Sequence, residues 1–254
     1  MEEIGGLRKT METRIKECLD SLRSRHINGI FAENSEEARD RILDLIRKNA
    51  VVGIGDSTTI RQMDIPKMLK EKGIKVLDAF EPKDKEAYEH HQRLVRESTL
   101  CDVFLTGTNA ITCDGRLVNV DAAGNRVAGM FWGHPISVVV VGRNKVVKDL
   151  DEAFYRIRNI IAPNHIRIRS AELGGREFKT PCVATGECSD CRATDRACNI
   201  FTIIEGKPFR TEMNVVIVDE DLGLGWDVTW PQGRILEVIE NYKKFVWVPI
   251  KKDL

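Results

Sequence analysis

Four short apolar runs, spaced along the chain and mostly separated by helix-like stretches, constrain the fold more than any other feature. They are residues 50–55 (AVVGIG), 74–80 (IKVLDAF), 101–109 (CDVFLTGTN) and 136–142 (ISVVVVG). A strand covered on both faces reads as an unbroken apolar run, which is the mark of a buried parallel sheet. The intervening segments carry helical signals, including one re-aimed at Pro66 and another over residues 83–98. This alternation predicts a three-layer α/β domain with a mostly parallel sheet.

The flanking segments extend the pattern. Ile4, Leu7, Met11, Ile15, Cys18, Leu19 and Leu22 recur at helical spacing, so residues 2–25 are expected to form an amphipathic helix. A second helix starts near Ser35, with Asn34 or Ser35 as its cap. After residue 110 the signals change. Asp114-Gly115 and Gly124-Asn125 punctuate short alternating runs, which predicts an antiparallel excursion. Residues 150–162 read as a helix, ending before Pro163. FTIIEG and MNVVIVDEDLG read as two further strands, whereas residues 226–254 show no clear period. Three parts follow: an α/β core over 1–165, a Cys-rich segment over 166–200, and strands returning to the core with a tail over 201–254.

Charge narrows the function classes. Lys and Arg equal Asp and Glu at 39 each, so no net charge recruits nucleic acid or an anionic membrane. No segment nears the ~18 continuous apolar residues of a membrane span. The first residues lack the apolar core of a secretory signal. A cytoplasmic protein with reduced thiols is expected, which makes the terminal KKDL meaningless as a retention signal.

Two loops carry ligand chemistry. The first strand runs into GDSTT, residues 55–59, where backbone amides, hydroxyls and a helix start favour an anion. Gly53 and Gly55 would allow close approach, while Ser57, Thr58 and Thr59 could donate hydrogen bonds. No Walker lysine follows and GxGxxG is not matched. A second loop of similar chemistry, TGTNAI over 106–111, ends a later strand. Loops at the carboxyl ends of parallel strands converge on one crevice. Asp56 and Asp114 are weaker candidates for acid or base, His134 reads as a packed or exposed loop residue, and His90-His91 as a solvated face.

The cysteines are the other constellation. Cys18, Cys101 and Cys113 are scattered, but PCVATGECSDCRATDRAC gives C-x5-C-x2-C-x6-C through Cys182, Cys188, Cys191 and Cys198. The polar neighbours Gly186, Glu187, Ser189, Asp190, Arg192 and Asp195 are unlike a core, so crowded reduced thiols point to metal. A [4Fe–4S] cluster is preferred because only one pair is tight; structural zinc is the alternative. Arg192 and Arg196 could offset a cluster's charge.

The order GIGDSTT, then TGTNAITCDGRLVNVDAAGNRVAG, then VGRNKVV resembles the LUD (lactate-utilisation) domain family over roughly residues 10–220. The resemblance implies kinship in fold with ribose-5-phosphate isomerase, glucosamine-6-phosphate deaminase and CoA-transferases. It further implies that Gly55, Asp56, Ser57, Thr58, Thr59, Thr106, Gly107, Thr108 and Asn109 line an anion site. Asp114, Asn119, Asp121, Asn125 and Lys145 match polar positions of the family pattern. The family's association with lactate oxidation and iron–sulfur partners favours a protein that acts on a small anionic organic acid, or in its oxidation. A non-catalytic accessory subunit of an oxidoreductase with structural zinc is the alternative, and a sugar-phosphate isomerase the third reading. The partners expected are a small anionic substrate, an oxidoreductase protein and a second copy in a homodimer, with neither nucleic acid nor membrane.

Overall fold

A computed structural model describes residues 2–81 and 87–248. Its centre is a six-stranded, all-parallel sheet in the order β1-β10-β7-β4-β2-β3. These strands are β1 (Asn28–Ala32), β2 (Val51–Ile54), β3 (Lys75–Asp78), β4 (Val103–Gly107), β7 (Ile136–Gly142) and β10 (Glu212–Val218). A smaller mixed sheet, β8-β5-β6-β9, comprises β5 (Ala110–Thr112), β6 (Leu117–Asp121), β8 (Val146–Val147) and β9 (Ile200–Ile204).

Alternation along the central strands explains why both faces are covered. On β7, Val138 and Val140 join the apolar cluster of α2 (Ser35–Asp44), α3 (Thr58–Gln62) and α4 (Ile65–Glu71). Val139 and Val141 point the other way, into a cluster with α1 (Glu2–Ser24), α6 (Asn125–Phe131) and the small sheet. All four valines are fully buried. Burial contributes on the order of 1.5–3 kcal/mol for each such side chain. The Asn34 side chain caps α2 by accepting from Glu37 N–H at 3.0 Å. The expected helix over 83–98 is seen as α5 (Ala87–Glu97), and its first expected residues lie outside those described. Among the described residues no helix is long and apolar enough to cross a membrane.

Three expectations need correction. Asp114-Gly115 does turn the antiparallel β5–β6 hairpin, with Gly115 at φ +85°. Gly124-Asn125 instead starts α6, because Val127 and Met130 recur at helical spacing and are buried.

The helix that begins at Leu150 does not stop at Pro163. α7 (Leu150–Arg156) continues through a π-turn (Ile157–Ile161), α8 (Ala162–Arg167) and a second π-turn (Ile168–Glu172). Proline removes a backbone donor, and a wider turn accommodates the loss. The Asn164 side chain donates to Ile160 O at 2.7 Å, satisfying a carbonyl nearby.

Within 226–254, Gln232–Phe245 forms α10, after the short α9 (Pro181–Thr185). Ile235, Val238, Ile239 and Tyr242 supply a helical stripe that packs with Trp226 and Trp230.

Candidate functional site

Strand order fixes where a ligand can enter. From β2 the chain moves outward to β3, then returns to place β4 on the other side of β2. The loops leaving β2 and β4 therefore diverge, opening a crevice at their carboxyl ends. A cleft of about 1110 Å³ lies there. GDSTT contributes Asp56, Ser57, Thr58 and Thr59; the second loop contributes Gly107, Thr108 and Asn109; Asn125 and Lys145 complete the expected set.

Several expected residues stand behind this wall. Gly53 and Gly55 serve packing. A Cβ at Gly53 would lie 1.9 Å from Ser98 O, and one at Gly55 would lie 2.7 Å from Thr106 Oγ1. Thr106 is fully buried beneath the loop. Asn119 holds the second loop from below, its Oδ1 accepting from Thr108 Oγ1 at 3.1 Å and from Asn109 N–H at 3.3 Å. Asp121 lines the cleft, and its carboxylate accepts from Val127 N–H at 3.1 Å. Asp114 sits on the hairpin turn instead, paired with Arg25 and Arg116 at 3.3 Å each.

Sequence reading missed the basic and aromatic half of the site. Arg126 donates to Gly107 O, Asn119 Oδ1, Asn109 Oδ1 and Val120 O at 2.8–3.0 Å. Its donors are spent on the TGTN loop and on β6, so it clamps the one to the other. Arg169 reaches the cleft from the second π-turn and lies over the Trp247 ring at 5.2 Å. His91, expected on a solvated face, stacks on Trp247 at 5.2 Å and bonds Ala79 O. These residues are distant in sequence, and only the helical period of 226–254 could have flagged part of the group.

A polar relay crosses the cleft floor. Arg169 can only donate, so at 2.9 Å it makes His165 Nε2 the acceptor. The ring proton then sits on Nδ1, which donates to Tyr242 Oη at 2.5 Å. Tyr242 is left to bond the Thr58 hydroxyl. Burial holds His165 well below its ordinary pKa, aided by the charges of Arg169 and Arg126, so the ring is neutral. Burial likewise raises the Asp56 carboxyl, against the pull of Arg169, Arg61 and Arg126.

Lys145 reaches the cleft as a buried amine. Its Nζ meets Thr59 Oγ1 at 3.0 Å, and it makes no ion pair among the described residues. Burial and the Arg126 charge push its amine down to about 7. Gly223 gives the amine room, since a Cβ there would stand 2.5 Å from Nζ.

The four clustered cysteines are half-buried and line one small cavity with Thr180, Ile166 and Phe201. Burial raises the Cys182 thiol, the Thr180 hydroxyl lowers it, and the nearby Cys191, Cys198 and Cys188 raise it again. Cys188 Sγ accepts from Asp190 N–H at 3.4 Å and Cys198 Sγ from Arg196 at 3.3 Å. Among the described residues, no three Cys, His, Asp or Glu side chains form a ready single-ion site. The expected metal-binding segment is therefore not formed as a coordination shell, although its sulfurs share a cavity. Ala162 and Ala197 line both this cavity and the large cleft. The scattered cysteines differ: burial pushes Cys101 and Cys113 up to about 11.

No curated protein matches the chain. Among solved structures, the chain is similar to a DUF162 family protein from Deinococcus radiodurans, at 14% identity and a TM-score of 0.44. The alignment covers 83% of this chain and 98% of that one. The LUD domain family matches residues 15–218, a span that includes both cleft loops, Lys145 and the four clustered cysteines, and the chain belongs to that family.

Proposed function

We propose that the cleft binds a small organic anion and that the protein serves in the oxidation of that acid. The observation that carries this reading is a buried lysine, Lys145, and a half-buried arginine, Arg169, facing the GDSTT and TGTN loops. Neither makes an ion pair among the described residues. Cationic groups drawn out of water without an ion-pair partner are costly, and an anionic ligand would offset that cost. The Thr58–Tyr242–His165–Arg169 relay orients hydroxyl and guanidinium donors toward the same space. The volume exceeds that of a three-carbon acid, which leaves room for a second reactant or a larger ester.

The four-cysteine cavity supports an iron–sulfur centre in this scheme. Four thiols around one small cavity, with N–H donors on Cys188 and Cys198, supply the donor set of such a cluster, whose potential hydrogen bonds of this kind tune. Cys182, Cys188, Cys191 and Cys198 would hold the cluster, which supplies one-electron transfer toward a partner acceptor. The shared wall at Ala162 and Ala197 brings cleft and cysteines together.

Calorimetric titration with lactate and with pyruvate tests the anion site. Binding that weakens at least about tenfold in Arg169→Met supports it. No binding of either acid would remove the reading. An accessory role has its own support in Leu100, Trp132 and Phe209. These large exposed apolar side chains precede the neighbouring interior strands β4, β7 and β10, at the amino ends of the strands opposite the cleft.

A further inference from the structure

Lys145 has chemistry that anion binding does not use. The side chain is only 7% exposed, yet it lines the cleft between the GDSTT loop and Gly223. Among the described residues its one hydrogen-bond partner is the Thr59 hydroxyl, which leaves the nitrogen lone pair or further protons free to face a ligand. No carboxylate holds it as an ammonium among the described residues. A cation serving charge alone is normally kept protonated by a partner, whereas an amine buried in this way is suited to act as a nucleophile. From the geometry of this niche we propose that Lys145 forms an imine with the carbonyl carbon of a small 2-oxo acid bound in the cleft.

The step balances without a further reactant. The neutral amine attacks the carbonyl carbon, a C–N bond forms, and the carbonyl π pair moves to oxygen, which gains the proton shed by nitrogen. The C–O bond then breaks, and with one proton from solvent the oxygen leaves as water, giving the protonated imine. A 2-hydroxy acid offers no carbonyl, so the amine distinguishes the oxidised form of the acid from the reduced form. The charged group acting on Lys145 is Arg126 from α6, while Thr59 of α3 and Gly223 contribute no charge. With its amine near 7, about half of Lys145 would be neutral at pH 7, against about one part in three thousand for an ordinary lysine.

The proposal rests on the cleft being an anion site, and the test separates the two. The full chain is incubated with pyruvate, or with dihydroxyacetone phosphate, then reduced with borohydride and mapped by peptide mass spectrometry. Pyruvate binding to the same preparation is measured by calorimetry. The expected result is one reduced pyruvyl adduct on Lys145, formed at least about tenfold faster than on any other lysine. It is absent in Lys145→Met and Lys145→Arg and rises with pH through about 7. Mapping the unaltered chain keeps the result readable should either variant fold poorly. Pyruvate that binds without labelling Lys145 would overturn the imine and leave the anion site standing. Neither binding nor labelling would overturn both. Labelling by dihydroxyacetone phosphate alone would overturn the acid assignment in favour of sugar-phosphate chemistry.

Discussion

Replacing Lys145 with methionine gives a stability change whose pH dependence follows from burial alone. Methionine has similar length, fills the niche between Thr59 and Gly223, and carries no charge. The folded-state pKa is depressed from 10.5 to about 7. Within that window the unfolded chain holds a proton that the folded chain lacks. Stability of the parent protein therefore rises with pH across it, and the penalty of burying the lysine shrinks. Working the linkage through, the penalty is about 4 kcal/mol at pH 7 and falls by about 2 kcal/mol by pH 9. Lys145→Met is thus expected to be more stable than the parent at pH 7, with an advantage about 2 kcal/mol smaller at pH 9. Urea unfolding of both proteins under reducing conditions, at several pH values in that range, gives the difference directly. Other titrating groups are common to both chains and cancel. Parallel stabilities across the range would refute a depressed Lys145 and remove support from its role as a nucleophile.

Two further substitutions test the site's architecture. Arg126→Met removes the guanidinium bonds to Gly107 O, Val120 O and the side-chain oxygens of Asn109 and Asn119, although both asparagine oxygens keep backbone or hydroxyl donors. It should cost about 3–5 kcal/mol in urea unfolding and weaken anion binding through the TGTN loop. A loss below about 1 kcal/mol would show that Arg126 does not clamp that loop. Tyr242→Phe strands His165 Nδ1–H, with an expected stability loss of about 1–3 kcal/mol. His165 should stay neutral in the variant because burial is the main cause of its low pKa. Histidine NMR through the acid range checks this, and a His165 titrating near its ordinary value would contradict the assigned relay.

How much of this was legible in the sequence depends on the range of the interactions. The central strands were readable because burial on both faces leaves continuous apolar runs such as ISVVVVG. The GDSTT and TGTN loops were readable because strand-to-helix turns concentrate small polar residues, and strand order brings both to one crevice. Arg126, His165, Arg169 and Tyr242 were not. Each sits on a helix whose period reports burial, not direction, and their meeting depends on tertiary packing. The passage through Pro163 was hidden for another reason, since a π-turn absorbs the missing donor without altering composition. Glycine misled at the first loop: Gly53 answers to Ser98 and Cys101 and Gly55 to Thr106, not to a ligand.

Anaerobic purification followed by iron, zinc and acid-labile sulfide analysis, with a visible absorption spectrum, tests the redox reading most directly. The account predicts about four irons per chain and a broad absorbance near ~400 nm that bleaches on reduction and is lost when Cys188 and Cys191 are replaced by serine. About one zinc per chain and a colourless protein would contradict it, making the cysteines a structural clip.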